Sequence, residues 1–249
     1  MTTSPPPSDS APAVKPMSIF GATGWTLGAH FALIAIVAVG VALREAALQD
    51  LVTLVFAQLI AYGLALFAIL RIYAPEASVR RFVGLRRTAP LLYPLAVLFG
   101  AAVFFPMNKV LELTLAHFPR EEGPRIEDML RSAAPLRRVA VGVLAGIIVP
   151  FAEEVFFRGA LFAPLRRFAE LGSNLAPIGE EPAEAPGPIS AAARRRAIWL
   201  TVMVTSLLFT IVHREWQTFF PLLLVACAVG SLRAWSGSLV PAILVHAGF

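Results

Sequence analysis

Long, continuous apolar stretches dominate the chain from Trp25 onward. Their hydrophobic residues follow one another without the alternation of a half-buried strand, and most stretches approach the roughly 20 residues that a helix needs to cross a bilayer. A segment in lipid must satisfy its own backbone hydrogen bonds, so continuous runs predict helices and not a barrel. The pattern therefore predicts an all-α, polytopic transmembrane helix bundle with about six full spans and a partial seventh. The predicted runs are Trp25–Leu43, Leu51–Leu70, Leu91–Val110, Val139–Leu165, Ala197–Val212, Phe219–Leu232 and Leu239–Phe249.

The two ends of the chain differ from this pattern. Residues 1–16 are rich in Ser, Pro and Ala and predict a disordered tail, which leaves 17–249 as the transmembrane domain. One positive charge precedes the first run and no small-residue cleavage site follows it, which favours a retained helix over a signal peptide. The seventh run stops at Phe249, and a truncated C-terminus is expected.

Composition excludes a soluble protein. Hydrophobic residues make up 57% of the chain and charged residues 15%, against about 25% charged in soluble domains. The single cysteine, Cys227, excludes a disulfide framework within one chain. The net charge of +5 comes from arginines between the apolar runs, so we interpret it as an orientation signal against anionic lipid, with the bilayer as partner and no nucleic acid.

Basic connections predict how the bundle is oriented. The positive-inside rule places the connections after the second and fourth runs, and the N-terminus, in the cytoplasm. The Pro- and Glu-rich stretch 171–190 predicts a flexible loop within the second of these connections. The arginines concerned are Arg71, Arg80, Arg81, Arg86 and Arg87 in the first connection, and Arg166, Arg167, Arg194, Arg195 and Arg196 in the second.

Two adjacent carboxylates interrupt the fourth apolar run. Glu153 and Glu154 point in different directions because a helix turns about 100° per residue, whereas Glu154 and Arg158 are four apart and share a face. Charged side chains inside a membrane are costly and mark functional sites. We therefore predict that Arg158 neutralises Glu154 as a structural pair, and that Glu153 remains free to act as a general base.

Two histidines end or interrupt other apolar runs. Helix rise places Glu153, His213 and His246 each about 20–25 Å from the flanking arginines of the same membrane face, so the three predict one site. Carboxylate and imidazole ligands suit a divalent metal such as zinc. Alternatively, Glu153 activates water directly while the histidines position the water or stabilise the oxyanion. The spacing leaves both alternatives open, and both give peptide hydrolysis.

At these residues the sequence resembles the CPBP family of intramembrane proteases, which includes the type II CAAX prenyl endopeptidases and the bacterial Abi proteins. The resemblance covers about residues 138–249, the expected protease core, with a similar Gly-Leu-Arg-Arg at 84–87. The motifs are Glu-Glu-x-x-x-Arg at 153–158, Phe-x-x-x-His at 209–213, and a final motif that begins at His246 and ends one residue before its expected Asn.

The resemblance implies a metalloprotease-like or glutamate-dependent endopeptidase in a bacterial plasma membrane, acting on hydrophobic or lipidated peptides and proteins. It implies Glu153 as the water-activating base with His213 and His246, and Glu154, Arg158 and Phe209 as supporting residues. Two other classes stay open: a non-catalytic membrane binding or immunity protein on the same scaffold, and an ion-coupled transporter, since intramembrane Glu and His also mark ion paths.

Overall fold

The computed structural model describes residues 14–43, 51–118, 134–172, 189–213 and 216–249. Most of the predicted tail, the acidic connection before the fourth run and most of the Pro- and Glu-rich stretch lie outside these ranges. Within them the regular structure is helical and contains no strand, which confirms the all-α prediction. The helices are α1 Ile19–Leu43, α2 Leu51–Tyr73, α3 Val79–Val83, α4 Leu92–His117, α5 Pro135–Val143, α6 Val149–Glu154, α7 Phe162–Gly172, α8 Ala191–Val212, α9 Phe219–Ser236 and α10 Leu239–Gly248.

Six helical stretches in the described ranges are long and apolar enough to cross a membrane. These spans match the predicted runs but extend into their polar flanks, because helical hydrogen bonding continues after the apolar run has ended. The fourth span is the longest and combines α5, α6 and α7 with two π-helical turns. The seventh element, α10, is ten residues long and stays shorter than a full span, as predicted. The protein is thus an integral membrane protein.

Short polar signals fix where individual helices begin and end. Ser190 precedes α8 and its hydroxyl accepts a hydrogen bond from the backbone N–H of Ala193, which satisfies one of the free donors of the first turn. Gly237 ends α9 in the left-handed conformation, with φ of 66°, and Ser238 then caps α10. The turn between α9 and α10 is therefore tight, and it holds the two helices side by side.

Several connections meet at one end of the bundle. The backbone N–H of Lys15 donates to the carbonyl of Tyr73 at 2.8 Å, and that of Met17 donates to the carbonyl of Pro164 at 3.0 Å. These bonds bring the start of α1, the end of α2 and the start of α7 together. The arginine-rich connections after the second and fourth spans thus begin at the same end, as the charge pattern requires, and its assignment to the cytoplasm stays a prediction.

The fourth span packs against several other helices and carries large, fully buried side chains. Phe156, Phe157 and Leu161 are at most 1% exposed, and the ring of Tyr62 on α2 stacks on Phe156 with centroids 4.7 Å apart. The span contacts α2, α3, α8 and α10. A helix enclosed on several sides can hold polar groups away from lipid, which is the setting that an intramembrane site requires.

A close helix crossing places α10. A Cβ atom at Gly100 of α4 would collide with the carbonyl oxygen of Val245, and a Cβ at Gly248 would lie 2.8 Å from the carbonyl oxygen of Val97. Small residues at both contacts let the two backbones approach closely, as at many helix interfaces in membranes. This crossing fixes the depth and rotation of His246, the polar side chain that α10 contributes to the interior.

Candidate active site

The helix that carries the two glutamates has an irregular backbone on both sides of them. Pro150 lacks an N–H group and its ring would clash with the carbonyl four residues earlier, so the chain widens into a π-helical turn at Leu144–Ile148 just before it. A second π-helical segment, Val155–Ala160, follows Glu154 directly. Such insertions are frequent at functional sites because they re-aim neighbouring side chains.

Glu154 is fully buried and held by two donors. One Nη1–H of Arg158 donates to its Oε1 at 3.0 Å, which is the i, i+4 pair predicted from the sequence. The Nδ1 atom of His246 lies 3.0 Å from the same oxygen. Arg158 is itself fully buried and also donates through Nη2 to the carbonyl of Ala226 at 3.0 Å, so it joins the fourth span to α9.

Glu153 is 6% exposed and lies in different surroundings. The side-chain amide of Gln58 on α2 donates to Oε1 of Glu153 at 2.9 Å. The Nε2 atom of His213 lies 3.8 Å from that oxygen, and the Nε2 atom of His246 lies 3.8 Å from Oε2. The structure therefore brings together the three residues that the sequence predicts as one site, from the fourth span, the end of α8 and α10.

The hydrogen bonds of the two imidazoles indicate their tautomers. Nδ1 of His213 lies 2.7 Å from the carbonyl oxygen of Phe209, and Nδ1 of His246 faces a Glu154 carboxylate oxygen. Both partners only accept, so each Nδ1 is assigned the proton and each neutral ring presents a lone pair at Nε2. Two Nε2 lone pairs and the Glu153 carboxylate then face one another without a proton between them, which suits a water molecule that donates to both kinds of acceptor.

Phe209 packs against three members of the site. Its ring centroid is 4.5 Å from that of His213 and 5.6 Å from that of His246, and the guanidinium carbon of Arg158 lies 4.5 Å from it. Phe209 is 1% exposed. An aromatic face beside a buried cation stabilises it by quadrupole attraction, and the same ring limits the rotation of both imidazoles.

As they stand, the three predicted ligands do not match a metal site. Among the residues that the structure describes, no three His, Cys, Asp or Glu side chains are grouped to hold a metal ion. Tetrahedral zinc ligands at normal bond lengths lie roughly 3.4 Å from one another, and both His–Glu153 separations are 3.8 Å. Zinc bound by Glu153, His213 and His246 stays a prediction, and no step of the reaction proposed below depends on it.

Arg233 directly follows the sixth predicted run, Phe219–Leu232, and lies in the last turn of α9, where it is 8% exposed. Its Nε–H donates to the carbonyl of Arg158 at 3.2 Å, and its guanidinium carbon lies 5.3 Å from the centre of the Phe162 ring. The same guanidinium occupies the space beside Gly84, where a Cβ atom would collide with it. Arg233 is therefore a buried residue that joins α9 to the fourth span through this hydrogen bond.

Sequence reasoning missed Gln58 as a member of the site. The signal was present, because an amide in the middle of an otherwise apolar span needs a hydrogen-bonding partner. Nothing in the spacing of α2 indicates which helix supplies that partner. The contact to Glu153 joins residues 95 positions apart and depends on how α2 packs against the fourth span.

The chain was also compared with known protein families, curated proteins and solved structures. Residues 135–249 match the family model described as type II CAAX prenyl endopeptidase Rce1-like. Neither the curated proteins nor the solved structures gave a match. The matched region contains both glutamates, Arg158, Phe209 and the two site histidines, and in this region the chain is similar to the Rce1-like type II CAAX prenyl endopeptidases.

Proposed function

We propose that this protein is an intramembrane endopeptidase that hydrolyses peptide bonds of hydrophobic or lipidated substrates through a water molecule activated by Glu153. The family supports a CAAX-type endopeptidase at the level of its class. The observation that carries the mechanism is that each Nε2 atom lies 3.8 Å from an oxygen of the buried Glu153 carboxylate. A water molecule that donates to the carboxylate and to an Nε2 lone pair is the nucleophile of a general-base hydrolase.

In the proposed reaction Glu153 accepts a proton from this water, and the water oxygen forms a bond to the carbonyl carbon of the scissile peptide. An Nε2 lone pair accepts the other hydrogen of the water and orients it for attack. The second imidazole takes up a proton from solvent at Nε2 and donates it as a hydrogen bond to the developing oxyanion, and it returns this proton to solvent after the products leave. The proton on Glu153 then passes to the leaving nitrogen as the C–N bond breaks.

Glu154 and Arg158 do not exchange protons in this scheme. Their charges compensate each other, and Glu154 fixes the His246 ring by accepting from Nδ1. A substrate that enters from the bilayer would reach a site in which the Glu154 and Arg158 charges are already paired, which limits the cost of burying these two groups.

The decisive experiment compares wild type with Glu153→Gln, both purified in detergent. Cleavage of a quenched prenylated peptide and of a hydrophobic peptide library is measured with and without a zinc chelator. Because the amide keeps its shape but cannot act as a base, kcat should fall by about 10²- to 10⁴-fold, while the melting temperature stays close to that of wild type.

Glu170→Gln is the matched control, because Glu170 also pairs with an arginine four residues away on the same span but lies outside the site. It should leave cleavage unchanged. Equal cleavage by wild type and Glu153→Gln would overturn the mechanism. If well-folded wild type cleaves nothing, the protein is better described as a non-catalytic binding protein. Loss of wild-type activity in chelator would establish the metal alternative.

A further inference from the structure

Gln58 is the one hydrogen-bond donor to the Glu153 carboxylate that the described ranges contain. It lies on α2, outside the region that matches the family model. Its amide nitrogen is 2.9 Å from Oε1, well within hydrogen-bonding distance. The C-terminal region by itself therefore does not supply every contact to the predicted base.

The chemistry of this donor differs from that of the donor to Glu154. Glu154 is bonded by a guanidinium, so its hydrogen bond is assisted by charge. Glu153 is bonded by a neutral amide, which orients the carboxylate without an opposing charge. The amide therefore positions Glu153 without compensating its charge, whereas Arg158 compensates the charge of Glu154.

The surroundings hold the amide in place. Tyr62, one helical turn after Gln58, interacts with the Gln58 side chain and stacks on Phe156 of the fourth span. Gln58 also forms the polar end of an apolar cavity of about 670 Å³ between α1 and α2. An amide beside an apolar cavity is energetically unfavourable unless it is hydrogen-bonded. Here the Gln58 amide donates to Oε1 of Glu153.

We propose that Gln58 is a positioning residue that fixes the orientation of the Glu153 carboxylate toward the two imidazoles. Terminal carboxylate torsions of glutamate are broad, so one bonded oxygen removes the main freedom that the buried side chain retains. The inference rests on the proposed function, since it assigns Gln58 to the orientation of the general base.

The test replaces Gln58 with methionine, which has a similar length but no N–H donor. Loss of a partner that orients a reacting group typically costs 10- to 100-fold in activity. We expect Gln58→Met to lower kcat by about 10- to 100-fold while KM stays within about twofold, because the amide orients the base and does not bind substrate. Leu54→Ala, which alters the same cavity away from Glu153, should leave kcat near wild type.

A second measurement separates positioning from a general structural role. In a Glu153→Gln background, Gln58→Met should cause no further loss of the residual activity, because the residue acts through Glu153. A purely structural contribution would reduce activity by the same factor in both backgrounds. If Gln58→Met does not fold, Gln58→Asn keeps a polar side chain but shortens the reach to Glu153, and an intermediate loss of kcat is expected.

The outcomes distinguish this inference from the proposed function. If wild type cleaves and Glu153→Gln does not, but Gln58→Met and Gln58→Asn both keep full kcat, the role of Gln58 is wrong and the proposed function stands. If both Gln58 variants lower kcat equally in the presence and absence of Glu153, Gln58 is structural only. Failure of wild type to cleave any substrate would overturn both.

Discussion

Glu153 and Glu154 are neighbours in sequence, yet the two carboxylates occupy different regions of the molecule. Glu154 faces a guanidinium and a protonated imidazole nitrogen and is fully buried. Glu153 faces a neutral amide and two Nε2 atoms that are too distant for direct hydrogen bonds. One helix thus presents an ion-paired carboxylate on one face and a carboxylate bonded by a neutral amide on the next, because adjacent residues point about 100° apart.

This difference explains how a membrane protein can keep two acids in its interior. A buried charge without a partner is strongly unfavourable, whereas a hydrogen-bonded pair is tolerated. Glu154 meets that condition through Arg158, although its Oε2 has no hydrogen-bond partner in the described part of the chain. Glu153 is bonded by a neutral amide and not by a cation, and an acid without a paired charge inside a membrane is a candidate for a functional site.

The largest expected effect comes from removing the cation beside Glu154. Arg158→Ala leaves a buried carboxylate with one donor fewer and removes the bond to the Ala226 carbonyl, so we expect the free energy of unfolding to fall by about 3–5 kcal/mol. Denaturant unfolding in detergent would measure it.

Arg166→Ala is the matched comparison, since Arg166 forms the same i, i+4 pair with Glu170 on the same span at a partly exposed position. It should cost less than about 1 kcal/mol. Similar losses for both variants would show that the Glu154–Arg158 pair stabilises no more than an ordinary surface pair, and the contrast between the two carboxylates would lose its energetic basis.

A smaller effect is expected where the backbone of α4 approaches α10. Gly100→Ala adds one methyl group against the Val245 carbonyl, which must shift because two backbones meet there. We expect a loss of about 1–3 kcal/mol in stability. Cleavage should fall as well, because α10 carries His246. Thermal unfolding and kcat, measured on the same preparation, check both parts.

Gly63→Ala on α2 controls for the change of residue type, because no atom lies within 4 Å of the added Cβ. Stability should rise slightly or stay the same, since Gly is less favourable than Ala in a helix by up to about 1 kcal/mol. If Gly100→Ala behaves like Gly63→Ala, the close crossing does not position His246.

The parts of this arrangement that follow from sequence are those set by local periodicity. Continuous apolar runs define the spans, and the i, i+4 spacing of Glu154 and Arg158 predicts a contact within one helix. The proximity of Glu153 to His213 and His246 was also predictable, because helix rise places all three residues at a similar depth in the membrane although they lie on separate helices.

The remaining contacts depend on helix rotation and packing, which spacing does not encode. The bond from Gln58 to Glu153 and the second bond to Glu154 from His246 join helices far apart in sequence. The burial of Arg233 is a contact of the same kind: the sequence places this charge at the end of an apolar run, but it does not indicate that Gly84 and the Phe162 ring lie against it.

The smallest expected effect distinguishes the two histidines of the site. Both Nε2 atoms face Glu153, so His213→Ala and His246→Ala should each reduce kcat strongly. Their Nδ1 partners differ, because His246 bonds a buried carboxylate whereas His213 bonds a backbone carbonyl and is 32% exposed. Hydrogen bonds to charged groups contribute about 1.5–3 kcal/mol and neutral ones about 0.5–1.5. His246→Ala should therefore destabilise the protein by about 1 kcal/mol more than His213→Ala, as measured by denaturant unfolding in detergent. Equal destabilisation would indicate that the His246–Glu154 bond adds little to what Arg158 provides, and that His246 belongs to the Glu153 region alone.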